Sequence, residues 1–255
     1  MAKMEWCNLL SAKRERVSET KDIPFRNAFD KDYERVISSS SVRRLQDKAQ
    51  VFPLQENDFT RTRLTHSLEV SSIARSMGKR IGFCLKEQDK IKDNQTEELS
   101  SLLAVAGLVH DLGNPPFGHY GEDIIKEWFE TNLESFGKAD WIKDYIYFDG
   151  NAQTIRILAR LQFLQDRHGM NFSYGTLATL IKYPWSSTSD EAKKNKKTGY
   201  YLTEEDLISD ILLTTGMKDE SGSIHRHPAT YILEAADDIS YLFADLEEAI
   251  YLGRP

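Results

Sequence analysis

The sequence is poor in cysteine, with only Cys7 and Cys84 among its 255 residues. Two widely separated thiols form neither a CxxC pair nor a disulfide framework, so we expect both to be reduced and structural. Apolar runs long enough to cross a bilayer are also missing, and residues 1–19 are charged throughout, which argues against a signal segment. We therefore expect a cytoplasmic chain with no membrane partner.

The charge is negative overall but unevenly distributed. A net charge of −7 argues against a general nucleic-acid binder. Residues 1–80 nevertheless carry 16 Lys and Arg against 11 Asp and Glu, whereas the remainder carries 17 against 29. If the two parts fold against each other, a polyanion would find cations from the first part beside a metal held by the acidic remainder. For any single charge, a position on the solvated surface is the more common alternative. The basic residues include Arg43, Arg44, Lys48, Arg61 and Arg63.

The most informative stretch runs from Gly107 to His119 and reads GLVHDLGNPPFGH. Its His110–Asp111 pair ends an apolar run that predicts a buried helix, and Gly113 with the following two prolines predicts the stop of that helix. Imidazole and carboxylate suit Mg²⁺, Mn²⁺, iron or Zn²⁺. An isolated His-Asp pair more often satisfies backbone groups at a helix end.

The pair has companions on two other predicted helices. His66 begins a helix whose expected core face carries Leu68, Ile73, Met77 and Ile81, and Asp237 with Asp238 lies inside another. The chain therefore presents a histidine, a His-Asp pair and an aspartate, in that order, all on helices.

Residues 230–252 give the clearest helical periodicity. Asp237, Tyr241 and Asp245 form a stripe at i, i+4 and i+8, which is either a solvated face or one wall of a cleft. The expected core face lies on the opposite side and consists of Ile232, Ala235, Ile239, Leu242, Phe243, Leu246 and Ile250.

The other segments also favour helices. We expect a helix over 120–133 that buries Ile124, Ile125, Trp128 and Phe129, and further helices over 24–37, 41–49, 151–165 and 174–183. Residues 88–98 read as a solvated loop, 141–148 as a strand or loop, and 186–198 as a mobile loop.

Five blocks resemble successive signatures of bacterial deoxyguanosine triphosphate triphosphohydrolases, within the HD superfamily of metal-dependent phosphohydrolases. They span roughly residues 40 to 250, and their order adds specificity that a His-Asp pair alone lacks. The resemblance implies an all-α HD-domain helical fold over residues 41–255, after an N-terminal arm of residues 1–40 in an oligomer interface. Family chains are longer, so a C-terminal portion is expected to be absent. The blocks are Arg43–Val51, Arg61–Val70, His110–Glu122, Phe148–Gln153 and Glu234–Tyr241.

The resemblance also implies a site. His66, His110, Asp111 and Asp237 would bind one divalent metal ion, Mn²⁺ or Mg²⁺, with Asp237 preferred over Asp238 because the family ligand precedes one variable residue and then an aliphatic one. His119 matches the catalytic histidine, and Glu122 would orient it. The alternative for His119 is an ordinary surface turn residue. The implied substrate contacts are Gln50, Arg63, Asn114, Lys182, Tyr241 and Asp245.

The implied reaction is attack at the α-phosphate of a deoxynucleoside triphosphate, with dGTP preferred, which releases deoxynucleoside and triphosphate. A homo-oligomer, often a hexamer, and single-stranded DNA as an effector are further expectations. Two other functions stay open: another HD-type phosphodiesterase or nucleotidase, and a regulatory protein that senses deoxynucleoside triphosphates or binds single-stranded DNA.

Overall fold

The structure is a computed structural model, and it describes residues 3–17, 25–53, 57, 59–137, 140–162, 166–251 and 253. Within these ranges the regular structure is helical, with isolated β-bridges but no named strand, which confirms the predicted all-α class. The α-helices are α1 Trp6–Leu9, α2 Ala28–Ile37, α3 Ser40–Arg43, α4 Arg63–Glu87, α5 Asp93–Val109, α6 Gly118–Thr131, α7 Lys143–Ile146, α8 Gly150–Arg156, α9 Tyr174–Leu180, α10 Asp190–Asn195, α11 Glu205–Thr215 and α12 Pro228–Tyr251.

Short helical turns of other types join several of these helices. The turns Arg44–Asp47, Leu133–Ser135, Asp140–Ile142 and Leu202–Glu204 are 3₁₀-helical, and Ile157–Leu161 is π-helical. None of the described helices is both long and apolar enough to cross a membrane.

By its contacts the chain divides into two compact units. The first unit contains Met1–Thr20 and Asp111–His227, and the second contains Lys21–His110 and Pro228–Pro255. The expected arm of residues 1–40 stays a prediction.

In the second unit, small residues bring α4 and α5 close together. A Cβ atom added to Gly107 of α5 would lie 2.8 Å from Cα of Ser71 in α4, so the helices approach backbone to backbone. The Ser71 hydroxyl donates to the Ala104 carbonyl at 2.7 Å. The buried residues of α4 include Ser67, Ala74, Gly78 and Gly82, whereas Leu68 is exposed. The predicted core face of α4 is therefore wrong at Leu68, and Ile73, Met77 and Ile81 are only partly buried, because small residues of α4 form the closest approach to α5.

The face of α12 that packs inward also differs from the predicted one. The helix buries Leu233, Ala236, Ser240 and Ala244, whereas the predicted core residues Ile239, Leu242, Phe243, Leu246 and Ile250 are exposed. Small side chains again allow close packing on α4. The exposed residues form an outward-facing apolar stripe along the helix.

In the first unit, the predicted loop over residues 186–198 is wrong, because this segment contains α10 and is anchored by buried residues at both ends. Ser187 is fully buried and its hydroxyl donates to Asp144 of α7. Arg156 binds the same carboxylate at 2.7 Å and Glu204 at 3.2 Å. Burial alone would lower the pKa of Arg156, but the neighbouring Glu204 and Asp144 raise it. Buried polar and ionic contacts thus help to hold this polar segment, together with the buried side chain of Ala192.

Other predicted boundaries need correction. The solvated loop expected over 88–98 is shorter, because α5 already begins at Asp93. Residues 141–148 contain helical turns in place of a strand. Ile124 and Trp128 of α6 are exposed, contrary to the expectation that both are buried. Residue Phe163, in the helix predicted over 151–165, lies outside the described residues.

Candidate metal centre and acid–base pair

Two imidazoles and a carboxylate from three helices converge in the second unit. His66 lies in the first turn of α4, His110 directly follows α5, and Asp237 lies in α12. Oδ1 of Asp237 is 3.0 Å from Nε2 of His66 and 3.5 Å from Nε2 of His110. The His66 side chain is almost fully buried, and Asp237 is about one third exposed.

The hydrogen bonds of His110 fix which ring nitrogen faces the carboxylate. Its Nδ1 donates to the Gly107 carbonyl at 2.8 Å, so the neutral ring presents the lone pair of Nε2 toward Asp237. Two electron-rich atoms that face each other require a proton or a cation between them, and a ring oriented in this way is typical of metal-binding histidines. Burial alone would raise the pKa of Asp237, but where the imidazoles supply that proton, the hydrogen bonds and charges of His110 and His66 hold the pKa well below its usual value.

Asp111 completes a group that could hold a divalent metal ion. It follows His110 directly in the chain, and single ligand atoms of His66, His110 and Asp111 all lie within 4.8 Å of one another. Imidazole nitrogen and carboxylate oxygen are ligands for Mn²⁺, Mg²⁺ and Zn²⁺, and they do not choose between these ions.

The first unit contains the His119–Glu122 pair at the start of α6. Nδ1 of His119 is 3.0 Å from Oε2 of Glu122, a buried carboxylate whose other oxygen accepts from the backbone N–H of Gly150 at 2.8 Å. The His119 side chain is 78% exposed, so Nε2 faces open space. Both residues line a cavity of about 710 Å³, together with Lys126, Tyr147 and other residues. The geometry suits a proton donor at Nε2 of His119, with the ring oriented by the bond from Nδ1 to Glu122.

The predicted substrate contacts lie in both units. In the second unit, Arg63 is nearly buried and Gln50 is half-buried beside a short bridge between Ala49 and Thr62. Tyr241 is exposed, and its hydrogen bond to Asp245 raises its pKa, so the structure brings these two predicted residues together.

In the first unit, Lys182 follows the end of α9 and is half-buried. Asn114 donates from its side-chain amide to Oδ1 of Asp111 at 2.8 Å. Its observed partner is therefore a predicted metal ligand.

Sequence reasoning did not predict that the Gly150 N–H binds Glu122. It also misjudged Arg61. Arg61 is not one of the free cations of a basic surface, because it pairs with Glu69 at 3.0 Å, Glu247 at 2.9 Å and Glu248 at 3.3 Å. The block Phe148–Gln153 drew attention to the region of Gly150. A hydrogen bond from a backbone N–H, however, cannot be predicted from the residue type.

Comparison with known proteins identifies part of the chain. Residues 63–160, which include His66, His110, Asp111 and His119, match the family model described as the HD domain. The chain contains an HD domain. This match and the relatives below confirm the resemblance and the HD-domain helical fold predicted from the sequence.

The relatives have two closely related descriptions. The chain is 46% identical to a deoxyguanosinetriphosphate triphosphohydrolase-like protein of Listeria monocytogenes, over 98% of this chain and 57% of the relative. It is 38% identical to a protein of the same description from Synechocystis, over 98% and 61%. It is 36% identical to the deoxyguanosinetriphosphate triphosphohydrolase of Yersinia enterocolitica, over 87% and 50%. The chain thus spans between half and about three fifths of the length of these relatives.

Proposed function

We propose that this HD domain hydrolyses deoxynucleoside triphosphates, preferentially dGTP, by attack at the α-phosphate, with release of deoxynucleoside and triphosphate. The observation that carries the proposal is the convergence of His66, His110 and Asp237, with Asp111 next in the chain to His110. The names of the relatives support the choice of substrate.

In this proposal His66, His110, Asp111 and Asp237 hold one divalent cation, Mn²⁺ or Mg²⁺. Such a cation polarises a phosphate ester and lowers the pKa of bound water. The ligands fit, since the bond from Nδ1 of His110 to the Gly107 carbonyl directs Nε2 toward Asp237, and a neutral imidazole with a carboxylate is a donor set that binds metals.

His119 is proposed as the general acid for the 5′ oxygen of the leaving deoxynucleoside, which would otherwise depart as an alkoxide. Glu122 accepts from Nδ1 and fixes the ring, so Nε2 is the atom that delivers the proton. Arg63 and Lys182 are proposed to bind phosphate oxygens, and Gln50, Tyr241 and Asp245 to surround the deoxyribose. Homo-oligomerisation, a cytoplasmic location and a single-stranded DNA effector stay predictions.

The experiment incubates the protein with Mn²⁺ or Mg²⁺ and each of the four deoxynucleoside triphosphates, and identifies the products by chromatography. We expect deoxynucleoside and intact triphosphate, fastest with dGTP, and no turnover with excess EDTA. Free phosphate or pyrophosphate would instead support another HD phosphodiesterase or nucleotidase, and nucleotide binding without turnover would support a sensor.

Two substitutions assign the residues. His119→Ala should lower kcat by about 10²–10⁴ and keep Mn²⁺ binding, because a general acid contributes to that extent. The matched control is His225→Ala, since His225 is half-exposed and pairs with Asp219. Unchanged kcat in His119→Ala would remove its proposed role.

A further inference from the structure

The segment Asp149–Thr154 has no role in the proposed reaction, yet it contacts both parts of the site that lie in the first unit. We call it the anchor segment. Gly150 donates its N–H to Oε1 of Glu122 at 2.8 Å. At the same place, a Cβ atom on Gly150 would lie 2.0 Å from Oδ1 of Asn114 and 2.9 Å from Oε1 of Glu122. The Glu122 carboxylate and the Asn114 amide therefore both rest on the backbone of Gly150.

The contact with Glu122 reaches His119. The buried carboxylate uses one oxygen for the Gly150 N–H and the other for Nδ1 of His119. Because the His119 ring is largely exposed, this bond to Glu122 is its principal restraint among the described contacts. Displacement of the Glu122 carboxylate would therefore release the His119 ring to rotate, and Nε2 would lose its fixed direction.

The contact with Asn114 reaches Asp111. The Asn114 amide donates to Oδ1 of Asp111 at 2.8 Å, which orients that carboxylate. The turn that carries both residues also docks on the anchor segment, since Gly113 donates its N–H to Oγ1 of Thr154 at 2.9 Å. A Cβ atom on Gly113 would lie 2.2 Å from the Gly150 carbonyl oxygen, so the two backbones touch.

The anchor segment is itself held by buried hydrogen bonds at Asp149. The carboxylate of Asp149, which is fully buried, accepts from the backbone N–H groups of Asn151 at 2.9 Å and Thr198 at 3.3 Å. The Tyr201 hydroxyl bonds to both the N–H and the carbonyl of Asp149. Because Asp149 is held by these bonds, the neighbouring Gly150 has a defined position from which it can orient Glu122 and Asn114.

We propose that Gly150 and Asn114 are positioning residues, and that the anchor segment sets the position of the His119–Glu122 pair relative to the carboxylate of Asp111. This inference rests on the proposed function for the roles of His119 and Asp111. It also gives Asn114 a task different from the substrate contact implied by the resemblance.

The first test measures Mn²⁺ affinity by calorimetry and does not depend on turnover. Asn114→Ala should weaken Mn²⁺ binding about 10- to 100-fold, the usual cost of removing a hydrogen bond to a metal ligand. Asn132→Ala is the matched control, because the Asn132 amide caps α6 on an exposed surface. Wild-type affinity in Asn114→Ala would overturn the assignment of Asn114.

The second test is a double-mutant cycle in kcat and KM. Gly150→Ala should lower kcat at least tenfold while KM changes less than about threefold, because the methyl group displaces Asn114 and Glu122, neither of which is among the phosphate and deoxyribose contacts proposed above. In the Asn114→Ala background, which removes the clash at 2.0 Å and leaves the one with Glu122 at 2.9 Å, Gly150→Ala should cost less than in the wild type. Additive effects, or an unchanged kcat in Gly150→Ala, would overturn the role of Gly150.

Gly222→Ala controls for glycine replacement away from the site: at φ +87° the substitution strains the backbone, but a Cβ atom there meets no other group within 4 Å. Circular dichroism and urea unfolding confirm that each variant is folded, and Gly150→Ser, with a larger side chain, should be worse than Gly150→Ala. If the wild-type chain hydrolyses no deoxynucleoside triphosphate, the proposed function fails, while the Mn²⁺ titration still decides whether Asn114 positions Asp111.

Discussion

His227 should make the folded state sensitive to mild acid. The side chain is fully buried; its Nε2 lies 3.2 Å from the Leu9 carbonyl oxygen, and its ring meets the edge of Trp6. Burial lowers the pKa of His227 from 6.5 to about 4, although the hydrogen bond to Leu9 acts in the opposite direction. The neutral ring donates from Nε2 and keeps that bond, so protonation adds only a buried charge.

The sign and size of the effect follow from these two pKa values. The unfolded chain binds a proton at His227 below about pH 6.5, whereas the folded chain resists it until about pH 4. The stabilising contribution is therefore complete above pH 6.5 and declines as the pH falls to 4. At about 1.4 kcal/mol per pH unit, the full contribution is roughly 3 kcal/mol.

The assay is urea unfolding of wild type and His227→Gln at several pH values between about 7.5 and about 4.5. Glutamine keeps a hydrogen-bond donor for Leu9 but does not titrate, so the free energy of unfolding of the variant should fall less with acid. The difference between the two proteins should change by about 2 to 3 kcal/mol over this range. His225→Gln, at an exposed site, should not reproduce this change. Parallel pH profiles for wild type and His227→Gln would refute the reasoning.

Two further predictions concern other parts of the molecule. Arg156→Met leaves the buried carboxylates of Asp144 and Glu204 unpaired, so it should lower the free energy of unfolding by about 3 to 5 kcal/mol in urea titrations; a loss under about 1 kcal/mol would contradict this. Phe243→Gln combined with Leu246→Gln alters exposed side chains, so it should change stability by less than about 1 kcal/mol and reduce the fluorescence of a bound hydrophobic dye. Unaltered dye fluorescence would show that the dye binds elsewhere.

The sequence predicts well what depends on neighbouring residues. The apolar run Leu102–Val109 predicts the buried end of α5, and the glycine and prolines after Asp111 predict its stop. The order of His66, His110 and Asp237 predicts a shared centre only through the resemblance, because a distance between helices depends on the packing of α4, α5 and α12. In the structure Oδ1 of Asp237 lies 3.0 and 3.5 Å from the two imidazoles, and the roles of the residues stay proposals.

The sequence predicts poorly where small or polar residues determine the packing. In α12 the large apolar residues outnumber the small ones, so periodicity favours their face, although Ala236, Ser240 and Ala244 allow closer approach of the helices. Residues 186–198 look solvated because their partners, Asp144 and Asp149, lie 40 or more positions away. Backbone donors such as the Gly150 N–H have no counterpart in composition or spacing.

The attachment of α12 has a consequence for its apolar stripe. Asp237 contacts His66, and Glu248, eleven residues later, contacts Arg61, which places the two fastenings about 16 Å apart along the helix axis. Two contacts on the same face of α12, this far apart, oppose rotation of the helix about its axis. The apolar stripe of α12 therefore stays exposed as long as both contacts are kept. Rotation that buried it would have to break the contact of Asp237 with His66 or that of Glu248 with Arg61.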